Sequence, residues 1–191
     1  MLDHGESFID LEHRDDGGRP VLLRLARNYF NGYDVSKVKL LLERGANIHV
    51  RDYQGRTCLH TAVLNADRPY ELEREMKVLV LLIRRGADIF STDNSGRSIF
   101  DDAYGYQTNA AWSIGGYRGV LWDAALSQCG YGRHIRISRK DIYYFTIRYT
   151  KEHFAQLWKG RECECPYASD LFDMVEEEED DTKEQTADEE R

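Results

Sequence analysis

The sequence predicts an all-α fold, a helical solenoid of about three stacked repeats closed by a helical C-terminal cap and followed by a disordered acidic tail. Three observations predict it. Residues 38–62 and 79–103 align over 25 positions without a gap. Each copy opens with apolar residues at helical spacing and breaks at a Gly-Ala pair. Residues 173–191 hold eleven acids against Lys183 and Arg191 and have no periodic apolar face.

The helices follow from spacing. Val38, Leu41 and Leu42 stand at i, i+3 and i+4, one face of a helix, and Leu79, Leu82 and Ile83 repeat the pattern. Gly45 and Gly86 follow at once, where a left-handed residue closes a helix. Arg44, Arg84 and Arg85 fall in the last turns, which suits the helix dipole. An extended piece then leads to a turn, Asp52-Tyr-Gln-Gly55 in one copy and Asp93-Asn-Ser-Gly96 in the other. Thr57 and Ser98 stand where an N-cap belongs, and Asp101 makes a near capping box with Ser98. Self-similarity at this period signals a stacked-repeat architecture.

The unit resembles the ankyrin repeat, whose pattern is D-x-x-G-x-T-P-L-H-x-A followed by V-x-x-L-L-x-x-G-A. Asp52, Gly55, Thr57, Leu59, His60 and Ala62 match it, with Cys58 in place of the usual proline. The next copy keeps Asp93, Gly96 and Ala103, with Ser98 for Thr and Asp101 for His. A weaker copy reads Asp16-Gly-Gly-Arg-Pro-Val-Leu-Leu-Arg-Leu-Ala26, without a hydroxyl at Val21. The resemblance implies that His60 hydrogen-bonds the loops between repeats. Leu121-Trp-Asp-Ala-Ala-Leu126, Leu157-Trp-Lys-Gly-Arg-Glu162 and Cys165-Pro-Tyr167 are similar to the C-terminal region of ankyrin proteins of the filamentous-fungal type.

The expected domain plan follows. Residues 1–15 form an irregular or partial repeat that caps the N-terminal end, since Met1-Leu-Asp-His-Gly5 looks like the last turn of a repeat helix. Residues 16–130 are the ankyrin repeats. Trp122, Ala125, Leu126 and Cys129 mark the second helix of the third repeat, over 119–129, with Cys129-Gly130 standing where Gly-Ala stood before. A Gly- and Tyr-rich loop fills 105–118. Residues 131–172 are the cap, with one helix from Ser138 through Ile147 and another begun by Thr150 and ended by Gly160. The tail is 173–191.

Composition narrows the function. Apolar residues make up 41% and charged residues 31%, enough for a core and a solvated surface. No apolar run approaches the ~18–20 residues that cross a bilayer, and the acidic start argues against a secretory signal. Cys58, Cys129, Cys163 and Cys165 are too scattered for a disulfide framework, so an intracellular protein, cytoplasmic or nuclear, is expected. The net charge of −8 divides into −9 for the tail and about +1 for residues 1–172. Residues 131–151 carry Arg133, Arg136, Arg139, Lys140, Arg148 and Lys151 against Asp141, interleaved with aromatics. That pattern occurs in nucleic-acid surfaces, but a near-neutral body and an acidic tail oppose phosphate binding.

No catalytic machinery is expected, and no cofactor. Gly115-Gly116 lacks the Lys-Ser/Thr of a phosphate loop. Cys163-Glu-Cys165 with His153 or His134 departs from the usual zinc spacing, so no metal is expected. Cys58 and Cys129 are expected on buried helix faces as inert small hydrophobes. Packing fixes the Leu, Ala and Gly positions and leaves the rest for recognition. As the resemblance implies, the expected activity is non-catalytic binding of another protein through a concave face. Its residues are Tyr53, Gln54, Arg56 and Thr61 from one repeat and Asn94, Ser95, Arg97 and Asp102 from the next, with Tyr53, Arg56 and Arg97 as anchors. Two alternatives remain: the acidic tail captures basic partners or masks the basic strip, or the chain is a fragment of a larger receptor or adaptor.

Overall fold

The computed structural model describes residues 10–27, 35–105, 116–135 and 149–167. Seven α-helices occur among them: α1 Val21–Arg27, α2 Val35–Glu43, α3 Cys58–Leu64, α4 Leu72–Arg84, α5 Ile99–Tyr104, α6 Tyr117–Gln128 and α7 Lys151–Trp158. The only β-pairing among the described residues is two isolated bridges, Arg14 with Pro20 and Thr92 with Ser98. Several expectations lie outside the described residues. They are the partial helix at Met1–Gly5, most of the 105–118 loop, the helix from Ser138 and the acidic tail.

The chain divides into two compact units, Met1–Leu157 and Trp158–Arg191. In the first, helices pair as α1 with α2, α3 with α4, and α5 with α6. First helices also pack on first helices (α1, α3, α5) and second on second (α2, α4, α6). Two parallel rows of helices result, the arrangement that lets each repeat bury the apolar face its neighbour leaves open.

The core lies between the rows. Leu22, Leu23 and Ala26 of α1, Leu59, Ala62 and Val63 of α3, and Ile99, Phe100 and Ala103 of α5 are buried. From the second row come Val38, Val78, Leu79, Leu82, Ile83, Leu121, Trp122, Ala125 and Leu126. Leu41 and Leu42 of α2 are only half-buried. The second helices end alike. Gly45, Gly86 and Gly130 have φ of 88°, 89° and 81°. The following N–H reaches back in each case: Ala46 to Leu41 O, Ala87 to Leu82 O and Tyr131 to Leu126 O. Gly130-Tyr131 therefore stands where Gly-Ala stood, one place later than Cys129-Gly130. Cys129 lies past the end of α6 and is half-buried, a correction to its expected place on a buried helix face.

The loops repeat as faithfully as the helices. Asp10, Asn47 and Asp88 each accept, through Oδ1, the N–H two residues on (Glu12, His49, Phe90). The turn that follows is built three times on one plan. Asp15, Asp52 and Asp93 accept the N–H groups at i+2 and i+4 on Oδ1. Gly18, Gly55 and Gly96 take φ of 70°, 76° and 79° at i+3. The first copy therefore opens at Asp15, not Asp16, and Pro20 occupies the place of Thr57. Residues 10–15, expected to be part of an irregular or partial repeat, repeat the loop that precedes the other turns.

Within the second unit Gly160 has φ of 76° and Arg161 N–H donates to Trp158 O at 2.8 Å. A 3-10 turn, Glu162–Glu164, follows. Cys165 and Tyr167 are buried there, and Cys163 is exposed.

Candidate functional site

The turns and first helices of the second and third repeats carry the residues expected to recognise a partner. Tyr53 is 69% exposed although its ring covers the preceding turn. A Cβ at Gly18 would lie 2.3 Å from Tyr53 Cδ1. Asn94, its counterpart one repeat on, covers Gly55 in the same way. Asn94 Nδ2 donates to Tyr53 O at 3.0 Å, and Asn94 N–H to Gln54 O at 2.9 Å. Gln54 and Ser95 are exposed at the turn tips. Position i+1 of the second and third turns thus both stacks the repeats and faces solvent.

Arg56 and Arg97 follow the turn glycines, and Arg19 holds the same place after Gly18. Arg19 pairs with Asp15, Nε to Oδ2 at 3.1 Å. Arg97 Nη2 lies 3.0 Å from Asp102 Oδ1, with the Arg97 side chain 57% exposed. Arg56 is half-buried, and its Nε has no partner.

Thr61 and Asp102 were expected on the surface and are not there. Thr61 is 6% exposed and its hydroxyl donates to Thr57 O at 3.1 Å. Asp102 is 5% exposed, and burial pushes its carboxyl above the usual range, against the pull of Arg97, His60 and Arg56. Asp102 lies near His60 of α3, and Thr61 is folded back on its own helix. Their place in register with the free turn positions does not free them.

His60 is a structural residue. Its Nδ1 accepts the Thr57 N–H at 3.2 Å, which leaves the proton on Nε2 for Arg97 O, 3.3 Å away in the next repeat. Burial lowers its pKa, with the Arg97 carbonyl and nearby Asp102 and Asp93 opposing. His153 repeats the local device: its Nδ1 accepts the Thr150 N–H at 3.1 Å. Cys58 is buried with its thiol pushed up to about 12 by desolvation. Among the described residues no group of three or more His, Cys, Asp or Glu is placed to hold a metal ion. Among them too, no helix is long and apolar enough to cross a membrane.

Arg14 and Arg51 went unnoticed in the sequence. Arg14 Nη1 donates to Gly18 O at 2.7 Å and to Arg51 O at 2.6 Å. Arg51 Nη1 donates to Gly55 O at 2.6 Å and to Thr92 O at 2.7 Å. Each arginine joins its own turn to the next. The Arg-Asp pair at the start of each of the first two turns was the available signal.

Paired helices in two rows, the Asp-to-Gly turn and the Thr-to-His cap define a class: this chain carries an ankyrin-repeat domain. Residues 29–73 match the family described as ankyrin repeats (many copies), and residues 54–94 match the ankyrin repeat itself. The chain is also similar to the probable palmitoyltransferase AKR2 of Saccharomyces uvarum, 30% identical over 125 residues. The match covers 65% of this chain and 14% of that protein.

Proposed function

We propose that the chain is a non-catalytic binding module that holds another protein through the face formed by the ankyrin turns and first helices. Ankyrin stacks are typical protein-interaction modules, and the resemblance covers residues 16–130, which we take as the module, with 131–172 as its cap. One observation carries the reading. Tyr53 presents a large aromatic ring to solvent while its carbonyl is bound by Asn94 and its ring is seated on Gly18. What sets this ring apart is that it is exposed and already held in place, and a held ring loses little freedom on binding. The contact surface is Tyr53, Gln54, Asn94, Ser95 and the guanidinium groups of Arg56 and Arg97, with Thr61 and Asp102 behind it as supports.

A photo-crosslinking residue placed at Gln54 or Ser95 of the full chain tests this. The expected product is one dominant cross-linked protein, absent when the same residue replaces Tyr70 on the loop before α4. Equal yields from both positions would overturn the reading. The acidic stretch 173–191, with its charge of −9, supports a second reading in which the tail takes a basic partner. Removing it abolishes capture on that reading and leaves capture intact on the first.

A further inference from the structure

Arg97 is held at three points by titratable side chains. Asp93 Oδ1 accepts its N–H at 3.0 Å. His60 Nε2, from the preceding repeat, donates to its carbonyl oxygen at 3.3 Å. Asp102 Oδ1 lies 3.0 Å from its Nη2. The Asp102 side chain is only 4% exposed, and its Oδ2 is buried without a hydrogen-bond partner among the described residues. Burial opposes the charge of that carboxyl, and Arg97 is the strongest of the groups that favour it. The other repeats lack the arrangement. Leu23 stands in the first repeat where His60 stands in the second, and Thr61 stands in the second where Asp102 stands in the third. Arg56, the counterpart of Arg97, therefore has no such histidine or carboxylate holding it.

His60 and Asp102 also feel each other's charge, so a proton on one changes the other. A proton on Asp102 removes the counter-charge of Arg97. A proton on His60 takes Nδ1 away from the Thr57 N–H and makes an imidazolium that competes with Arg97 for the carboxylate. In either place the proton weakens the grip on Arg97. The other charges facing the pair are Asp93 on both, Arg51 on His60 and Arg56 on Asp102. Desolvation dominates at both groups, lowering the imidazole from 6.5 and raising the carboxyl from 3.8. We propose that His60, Asp102 and Arg97 form an acid-released latch on the turn face: protonation frees the Arg97 side chain, and the face then holds its partner less tightly. The proposal rests on the protein-binding reading above and adds its regulation. An arginine fixed beforehand loses little freedom on binding, and a freed one loses more.

The test uses the full chain between about pH 7.5 and about pH 5. The first readout is the NMR signal of the Arg97 Nε–H, whose heteronuclear NOE reports whether the side chain is held. The NOE is expected to fall with pH while the helical circular dichroism stays constant, and to be low at every pH in Asp102→Asn. The second readout is the cross-linking yield from Gln54. It is expected to fall about two- to tenfold on acidification of the native chain, and to be low and constant in Asp102→Asn. Arg97→Ala/Asp102→Asn, which removes the arginine without leaving the Asp102 charge buried and unpaired, is expected to show the same low and constant yield. An Arg97 signal that stays rigid to the acid end of the range would overturn the proposal. So would a transition that persists in Asp102→Asn or one that accompanies loss of helix. If Arg97 is released and the native yield does not change, the regulation is wrong and the protein-binding reading stands. If no dominant product forms at neutral pH, the binding reading fails, and the regulation with it, whatever Arg97 does.

Discussion

Arg51 is joined to Thr92, the residue just before the next turn, by a 2.7 Å hydrogen bond from its Nη1 to the Thr92 carbonyl oxygen. The same nitrogen holds Gly55 O, so one guanidinium ties two successive turns together. Arg14 does the same one repeat earlier, reaching Arg51 O. These bonds, with Asn94 on Tyr53 and His60 on Arg97 O, fix the turn tips relative to one another. A binding face made of turn tips is only as rigid as such links.

Arg51→Ala should therefore destabilise the fold. Charge-assisted bonds to two carbonyls are lost, at a cost of about 1–3 kcal/mol. Urea unfolding checks it, as a lower midpoint with an unchanged slope. Arg51→Lys should recover less than half of the loss, because an ammonium cannot reproduce the guanidinium fork.

The turn glycines differ in what surrounds them, and substitution should separate them. Gly86 has φ of 89°, and a Cβ there would meet nothing within 4 Å, so Gly86→Ala carries only backbone strain, about 1–2 kcal/mol. At Gly55, φ is 76° and a Cβ would meet Asn94 Oδ1 at 2.2 Å and Asn94 N at 2.8 Å. Gly55→Ala should cost about 1–3 kcal/mol more than Gly86→Ala. Equal losses would mean that Asn94 does not lie on Gly55.

Two buried groups set opposing pH dependences. Glu75 of α4 is buried, accepting from Tyr117 OH at 2.5 Å and from Arg68 N–H at 3.2 Å, and desolvation pushes its carboxyl up to about 7 from 4.5. The folded chain keeps a proton there that the unfolded chain releases, so stability falls as pH rises from 4.5 through 7. Asp102, also raised, adds to that slope. His60 has the opposite sign. Its folded pKa lies below 6.5, so as pH falls below 6.5 the unfolded chain gains a proton first and stability is lost. The slope of unfolding free energy against pH should thus become more positive in Glu75→Gln than in the native chain, and more negative in His60→Gln. Denaturant titrations across that range give both slopes.

Much of the fold was legible, and the failures have physical causes. The N-caps at Thr57 and Ser98, the Ser98-Asp101 pair and the helix-ending glycines were read from residue type and spacing, because each depends on neighbours a few positions away, and the role of His60 came from the resemblance to the ankyrin repeat. The one-place slip at Asp16 arose because Asp15-Asp16-Gly17-Gly18 offers two registers. Only Asp15 puts a glycine at i+3, where φ is positive. Thr61 and Asp102 were misplaced because burial of a first helix depends on how the repeats pack against one another, which no single repeat encodes. The Arg14 and Arg51 bonds cross 37 and 41 positions to backbone carbonyls and leave no partner side chain in the sequence to match.

The most direct test of the central claim is capture of the cross-linked partner by the full chain carrying Tyr53→Ala together with Arg97→Ala/Asp102→Asn. At least about nine-tenths of the captured protein is expected to be lost, while the urea midpoint stays close to that of Arg97→Ala/Asp102→Asn alone. Full capture by this variant, folded to the same degree, would contradict the assignment of the turn face as the binding surface.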